Sequence, residues 1–370
     1  LRVLFLIPRL AGGGSERVIT TLLQHFDRSQ FMLTLAVVDT RQAVFRPDVP
    51  PDVEFIDLKC TRVARALPKI IRLIRQRRPD VVFSTLSHLN IALALMRFVL
   101  PKGVRFIARE STIASRNIDC LRWPWLWRWA YRRFYPAFDM LICQSMYMLV
   151  DLVDQFGYPS GKAIVINNPV DITRIRRLAN IEPANGNLQH AGGTNQDGLV
   201  RLLAAGRLSR EKGFDLLIEA LALCDDPRMH LTIIGEGALR QELEALAYAR
   251  GVAGQVCFAG FQQNPYPFFA KADALVLSSR FEGFPNVVLE ALACGTPVIA
   301  TPAPGGVREI LEGLPSCELA EEITVPALAE AIKRWINRCP QRVDEKTVDP
   351  YSVERIVKQY EEQILRVAAL

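Results

Sequence analysis

At 370 residues the chain exceeds the size at which one hydrophobic core usually keeps growing, so two domains of ordinary size are expected. Half of the residues are hydrophobic and 23 % are charged, which excludes a disordered or low-complexity protein. The net charge of +6 conceals an asymmetry: residues 1–180 carry net +13 and residues 181–370 net −7, so the first half calls for an anionic neighbour, whether nucleic acid, membrane surface or phosphorylated substrate.

Eight cysteines are scattered along the chain with no C-x-x-C and no His at ligand spacing. That argues against a zinc site and a disulfide framework, and fits a reducing cytoplasm. The opening "LRVLFLIPRL" is apolar but too short for a signal peptide or a membrane span, and reads as a first buried strand. The loop "PRLAGGGSER" follows, with Ser15 placed to cap a helix beginning "ERVITTLL". Glycines such as Gly13 and Gly14 let backbone amides approach a phosphate, although the spacing is not that of the dinucleotide fingerprint and a plain flexible turn fits as well.

Further short apolar runs, "LTLAVV", "DVVFST", "RFIA", "DMLIC" and "AIVIN", alternate with helical patterns as in a parallel α/β sheet. Two of the intervening helical segments are basic. "TRVARALPKIIRLIRQRRPD" sets Val63, Leu67, Ile70, Ile71 and Ile74 on one face and Arg65, Lys69, Arg72 and Arg75 on another. "LRWPWLWRWAYRRFYP" (121–136) holds four of the five tryptophans beside Arg122, Arg128, Arg132 and Arg133, a mixture expected at a membrane interface. A packed helix with a solvated charged face is the alternative for either segment.

The alternation stops at "IEPANGNLQHAGGTNQDG" (181–198), which is polar and aperiodic and reads as a linker or long surface loop. It restarts with "LVRLLAAG", "HLTIIG", "VCFAG", "ALVLS" and "PVIAT". The expected organisation is a Rossmann-like domain over 1–180, the linker over 181–198, a second such domain over 199–348, and a helix over 349–370 packing back on the first domain. That last helix spaces Val353, Ile356, Val357, Tyr360, Ile364 and Leu365 along one face.

Open α/β sheets bind ligands at the carboxyl ends of their strands, so function is sought in the loops there. In "GRLSREKGFDLLIEAL", Arg207 and Lys212 flank such a loop and suit a diphosphate. In "SRFEGFPNVVLEALACGTPVIAT" (279–301), Pro285 opens a helix near Asn286, whose first amides, of Asn286, Val287 and Val288, face an anion. Glu282 stays in the loop, while Glu290 falls among Val287, Val288, Leu289, Leu292 and Ala293. A carboxylate there needs hydrogen-bonding partners, each worth about 1.5–3 kcal/mol, supplied by a ligand or by backbone and Arg within the fold.

The E-x7-E pattern within "EGFPNVVLEALACGTPVIAT", together with "GRLSREKG", "GGGSER" and "NNPVD" (167–171), resembles the retaining nucleotide-sugar glycosyltransferases of family 4, over nearly the whole chain. The resemblance implies a GT-B architecture, two Rossmann-like α/β domains facing a central cleft. It implies that Glu290 accepts from both ribose hydroxyls and that Glu282 contacts the donor sugar. Arg207 and Lys212 would neutralise the diphosphate with the amides of Asn286, Val287, Val288 and Gly13 or Gly14; Gly283 and Phe284 would line the donor site, and Gly260 would lie beside the base. No metal or other cofactor is implied, and the sequence has no D-x-D triplet. Many relatives carry a His where this chain has Glu110, which would orient hydroxyls or pair with Arg109.

The function expected is transfer of a hexose or N-acetylhexosamine (GalNAc, GlcNAc or galactose), most similar to transfer from a UDP-linked donor, to a lipid-linked saccharide in bacterial surface polysaccharide assembly. Cytoplasmic location with peripheral attachment to the inner face of the membrane, through the basic first half, goes with it. A nucleotide-sugar epimerase on the same scaffold is the alternative. A nucleic-acid-binding module is disfavoured by the acidic second half.

Overall fold

The computed structural model of the chain describes residues 1–11, 13–41, 43–181, 198–338 and 341–370. Two compact units emerge, the first formed by Leu1–Pro169 with Tyr351–Leu370 and the second by Val170–Pro350. The first boundary therefore falls at Pro169 and not at residue 180, and the chain returns at Tyr351 and not at 349. The reason is a helix at 172–179 whose buried Ile175 belongs to the second unit's packing. The segment read as a linker, 181–198, falls at 182–197 outside the described residues.

The first unit contains β1 (Arg2–Arg9), β2 (Met32–Asp39), β3 (Glu54–Asp57), β4 (Val81–Thr85), β5 (Arg105–Arg109), β6 (Met140–Cys143) and β7 (Ala163–Val165). They form one sheet in the order β3-β2-β1-β4-β5-β6-β7, with every pair parallel. Its helices are α1 (Gly14–His25), α2 (Val63–Arg77), α3 (Ser87–Met96), α4 (Ala114–Asp119), α5 (Pro124–Phe134) and α6 (Met146–Phe156), joined by the returning α14 (Val353–Ala368). Strand β3 was not legible as a run, because four half-covered residues at a sheet edge carry no continuous apolar signal.

Helix α14 docks by the periodicity its sequence carries: Val353, Ile356, Val357, Tyr360, Ile364 and Val367 enter the core beneath β1 and β4. Leu365, expected on that face, is exposed, and Val367 takes its place. The Tyr360 ring meets Phe83 at 5.9 Å, and Phe83 meets Phe5 at 5.0 Å. Arg109 is the polar member of this core. Its guanidinium, with no accessible surface, donates to Asn168 Oδ1 at 2.6 Å, Tyr360 OH at 3.1 Å and Thr85 Oγ1 at 3.4 Å. Asn168 precedes the point where the chain leaves the unit and Tyr360 lies on the segment that returns, so one buried cation fastens both passages to β5.

The second unit holds α7 (Ile172–Ala179), β8 (Val200–Ala205), α8 (Phe214–Cys224), β9 (Met229–Ile234), α9 (Arg240–Ala249), β10 (Val256–Gly260), α10 (Tyr266–Lys271), β11 (Ala274–Leu277), α11 (Asn286–Ala293), β12 (Val298–Ala300), α12 (Val307–Leu311), β13 (Glu318–Leu319) and α13 (Val325–Arg338). Its sheet is also parallel throughout, in the order β10-β9-β8-β11-β12-β13. Leu217, Ile218 and Leu221 of α8 and Leu328 and Ile332 of α13 share one core with β8, β9 and β12, α13 packing on α8 and on the β12–β13 side of the sheet. In each sheet the strand order reverses once, between β1 and β4 and between β8 and β11. A crevice opens at such a reversal, because the flanking helices diverge to opposite faces.

Candidate active site

At the second unit's reversal, the loop after β8 (206–213) meets the loop after β11 (278–285). Lys212 Nζ lies 2.7 Å from Glu282 Oε1, and Ser279 Oγ donates to the same oxygen at 2.6 Å. Ser278 Oγ holds the Lys212 carbonyl at 2.9 Å, and the Glu282 amide donates to the Pro304 carbonyl at 2.9 Å. Two glycines make this closeness possible. Gly213 sits at φ +64°, where a Cβ would fall 2.1 Å from the Ser278 carbonyl oxygen. Gly305 sits at φ +120°, where a Cβ would fall 1.7 Å from that of Glu282.

Glu282 and Glu290 each keep 9 % of their surface exposed. Lys212 and Glu282, expected to serve phosphate and sugar separately, are thus brought into one ion pair. The cation and the hydroxyl on one oxygen fix the Glu282 carboxylate at the junction of the two loops. Arg207 lies exposed on the same loop. Gly283 accepts from the Gly306 amide at 3.0 Å, and Phe284 is buried with its ring against Gly306. Helix α11 begins at Asn286 with Pro285 as its N-cap. The Val288 amide, expected to face an anion, donates to the Pro285 carbonyl at 3.0 Å instead, because the first turn closes tightly. Glu290 stands in the second turn of α11 between the fully buried Leu289 and Ala291. Gly260 ends β10 at φ +70° beside the Glu236–Arg240 ion pair, whose shortest contact is 2.7 Å.

Sequence reasoning missed Arg280, one residue into the stretch that carries Glu282. Its amide donates to the Glu211 carbonyl and its Nη1 to the Arg210 carbonyl, both at 2.8 Å, while a two-pronged pair to Asp215 closes at 2.8 and 2.7 Å. The available signal was an Arg beside a loop rich in carbonyls, with an acid opening the next helix.

Helix α1 starts at Gly14 with Gly13 as N-cap, so Ser15 lies inside the first turn and does not cap it. The Glu16 carboxylate folds back over Gly13, where a Cβ would fall 2.2 Å from its Oε2. Gly12 lies outside the described residues. Glu110 follows β5 and has no accessible surface. Ser87 Oγ donates to its Oε2 at 2.8 Å, while Asn90 Nδ2 at 3.2 Å and the Tyr135 hydroxyl donate to Oε1. Burial pushes its pKa above the usual carboxylate range, against these donors and the charge of Arg109, which pull it down.

The Glu110 carboxylate is thus enclosed by Ser87, Asn90 and Tyr135, while Arg109 directs its hydrogen bonds to Asn168, Tyr360 and Thr85; Glu110 fixes the turn from Ser87 to Asn90 at the end of β4. Leu86 enters that turn at φ +75°, a strained conformation for a residue with a Cβ. His88, another residue the sequence reading passed over, follows Leu86 in the turn, its pKa lowered by the loss of water around the ring and then by the charge of Arg9.

Helix α2 buries Ala66, Ile70, Leu73 and Ile74 and leaves Arg65, Lys69, Arg72 and Arg75 exposed. Helix α5 is different, since it buries just Ala130 and Tyr131. Trp123, Trp125 and Trp129 remain 55, 70 and 54 % exposed. Arg122 stacks over Trp123 at 4.6 Å and Arg133 over Phe134 at 5.4 Å. Among the described residues no helix is long and apolar enough to cross a membrane.

Two parallel, doubly wound α/β units are the architecture of the GT-B glycosyltransferases, and the chain shares it with solved structures of that class. Residues 12–174 match the model of Glycosyltransferase Family 4 and residues 189–346 that of Glycosyl transferases group 1. The chain belongs to this family of glycosyltransferases. It is 29 % identical over 318 residues, 82 % of this chain and 81 % of the relative, to the N-acetylgalactosamine-N,N'-diacetylbacillosaminyl-diphospho-undecaprenol 4-alpha-N-acetylgalactosaminyltransferase of Campylobacter jejuni. It is 43 % identical over 104 residues, 28 % of this chain and 30 % of the relative, to the lipopolysaccharide core biosynthesis glycosyltransferase LpsE of Rhizobium meliloti. Among solved structures, Anabaena Alr3699/HepE in complex with UDP superposes with a TM-score of 0.75 at 20 % identity, over 99 % of this chain and all of that one.

Proposed function

We propose that the chain transfers a hexose or N-acetylhexosamine from a UDP-linked donor to a lipid-linked saccharide, with retention at the anomeric carbon and without a metal ion, in surface polysaccharide or lipopolysaccharide assembly. The observation that carries the proposal is the Lys212–Glu282 pair at the second unit's strand reversal, where a cation for a diphosphate and a carboxylate for sugar hydroxyls share one loop junction. In the reaction, the bond from the anomeric carbon to the β-phosphate oxygen breaks, an acceptor hydroxyl oxygen bonds to that carbon on the same face, and its proton leaves with the nucleoside diphosphate. Lys212 and Arg207 stabilise the charge that grows on the departing phosphate. Glu290 accepts from the ribose hydroxyls, and Gly260 stands beside the base. A lipid-linked GalNAc acceptor in the Campylobacter relative and lipopolysaccharide core in the Rhizobium relative support the acceptor class.

Incubation with radiolabelled UDP- and GDP-sugars tests the proposal through slow donor hydrolysis. Release of UDP and free sugar is expected; a folded protein that neither binds nor hydrolyses any nucleotide sugar, or that only isomerises the donor, contradicts it. Glu290→Ala is expected to weaken UDP binding about 10- to 100-fold, the worth of a hydrogen-bonded charge. Glu282→Ala is expected to reduce turnover more than nucleotide affinity.

The membrane partner follows the exposed tryptophans of α5 and the basic face of α2, which suit an anionic surface at the inner leaflet. Co-sedimentation with phosphatidylglycerol vesicles should fall at least about tenfold in the Trp123→Ser, Trp125→Ser, Trp129→Ser variant, from lost apolar burial alone. Binding unchanged by these substitutions contradicts the docking face.

A further inference from the structure

We propose that Arg280 and Asp215 form a positioning clamp that fixes Lys212 for the donor's diphosphate. The clamp rests on the donor site proposed above, and extends it to residues that never touch the donor.

Arg280 is turned into the protein. Its amide and guanidinium make four hydrogen bonds, to the Glu211 carbonyl, the Arg210 carbonyl and both oxygens of Asp215. These anchor points lie on either side of Lys212, whose own carbonyl is held by Ser278 Oγ at 2.9 Å. Four of the six residues from Arg210 to Asp215 are therefore laced to residues 278–280. The lacing is needed because the segment is backed by Gly213 at φ +64° and is otherwise a short turn between β8 and α8. A lysine stem has four rotatable bonds, so a fixed backbone is what limits where its ammonium goes. With the backbone held, Lys212 reaches Glu282 at 2.7 Å, on the same loop that carries the exposed Arg207.

The pair is not there for stability. Arg280 and Asp215 side chains are about a third and nearly half exposed, and ion pairs so open contribute little to folding. The Arg280 hydrogen bonds hold the Asp215 carboxyl below the usual carboxylate range, so the clamp stays charged over the working range of a cytoplasmic enzyme. An arginine whose Nη1 and Nη2 are both turned onto the segment from Arg210 to Asp215 is a positioning residue.

The test compares wild type with Arg280→Ala, Arg280→Lys and Asp215→Asn, measuring UDP affinity by calorimetry, donor KM and kcat by hydrolysis of a UDP-sugar, and melting temperature. Arg280→Ala is expected to weaken UDP binding about tenfold, to lower kcat and kcat/KM for donor hydrolysis about tenfold, short of the loss in Lys212→Ala, and to melt within a few degrees of wild type. Asp215→Asn should follow it in the same direction. Arg280→Lys should recover only part of the loss, since an ammonium cannot span a carboxylate and a carbonyl as a planar fork does. Unchanged UDP affinity in both Arg280→Ala and Asp215→Asn, with a wild type that binds UDP, overturns the clamp alone. A loss of affinity matched by a collapse in melting temperature in both variants also overturns it. A wild type that binds no nucleotide overturns the donor site and the clamp together.

Discussion

Lys212→Ala is expected to lower kcat/KM for donor hydrolysis about 10²- to 10³-fold, the usual consequence of removing one preorganised donor from a developing negative charge. Two effects act in the same direction. The departing diphosphate loses its nearest fixed cation, and Glu282, which shares 2.7 Å with Lys212, becomes an uncompensated carboxylate in the same junction. That second effect makes the prediction specific. Adding Glu282→Gln to Lys212→Ala should restore part of the donor affinity while leaving turnover low, because the repulsion is relieved and the cation is still missing. Lys212→Arg should rescue only part of the activity, since a planar fork does not place its charge where the lysine's compact ammonium stands. Steady-state kinetics with the hydrolysed donor measure this, and a loss below about threefold contradicts an electrostatic role for Lys212.

Arg109→Met is expected to destabilise the first unit by about 3–5 kcal/mol, the penalty for removing one partner from a buried polar network. The methionine fills part of the volume but leaves Asn168, Tyr360 and Thr85 without their donor and removes the positive charge beside the buried Glu110. Three desolvated acceptors in a low-dielectric core outweigh the gain of a hydrophobic stem. A unit of this size should lose roughly 10 °C in Tm, read by calorimetry as a shift of one transition while the other stays in place. Arg109→Lys should rescue little, because an ammonium cannot reach Asn168 and Tyr360 on opposite sides. A shift under about 2 °C in Arg109→Met contradicts the fastening role.

What the sequence made legible follows from how strongly each feature imprints a pattern. Central strands such as "RVLFLI" and "LTIIG" are buried on both faces and appear as continuous apolar runs. The edge strands β3 and β13 are not, because half-covered residues leave no such run. The boundary at Pro169 was hidden for another reason: α7 follows the first sheet in sequence but buries Ile175 in the second unit, and periodicity does not say against which core a helix packs. Glu282 and Lys212 were found by type and loop position, yet their pairing was not, since it depends on the close approach that Gly213 and Gly305 allow. Glu110 shows the opposite failure. Its position after a strand suggested substrate contact, and only the inward donors Ser87, Asn90 and Tyr135 reveal that it faces the core.

A crystal structure of the protein with UDP bound tests the central claim most directly. The diphosphate should lie against Lys212 and Arg207, the ribose hydroxyls should donate to Glu290, and the base should rest beside Gly260. UDP bound elsewhere, or bound with Glu290 held only by protein groups and its carboxylate away from the ribose, contradicts the account.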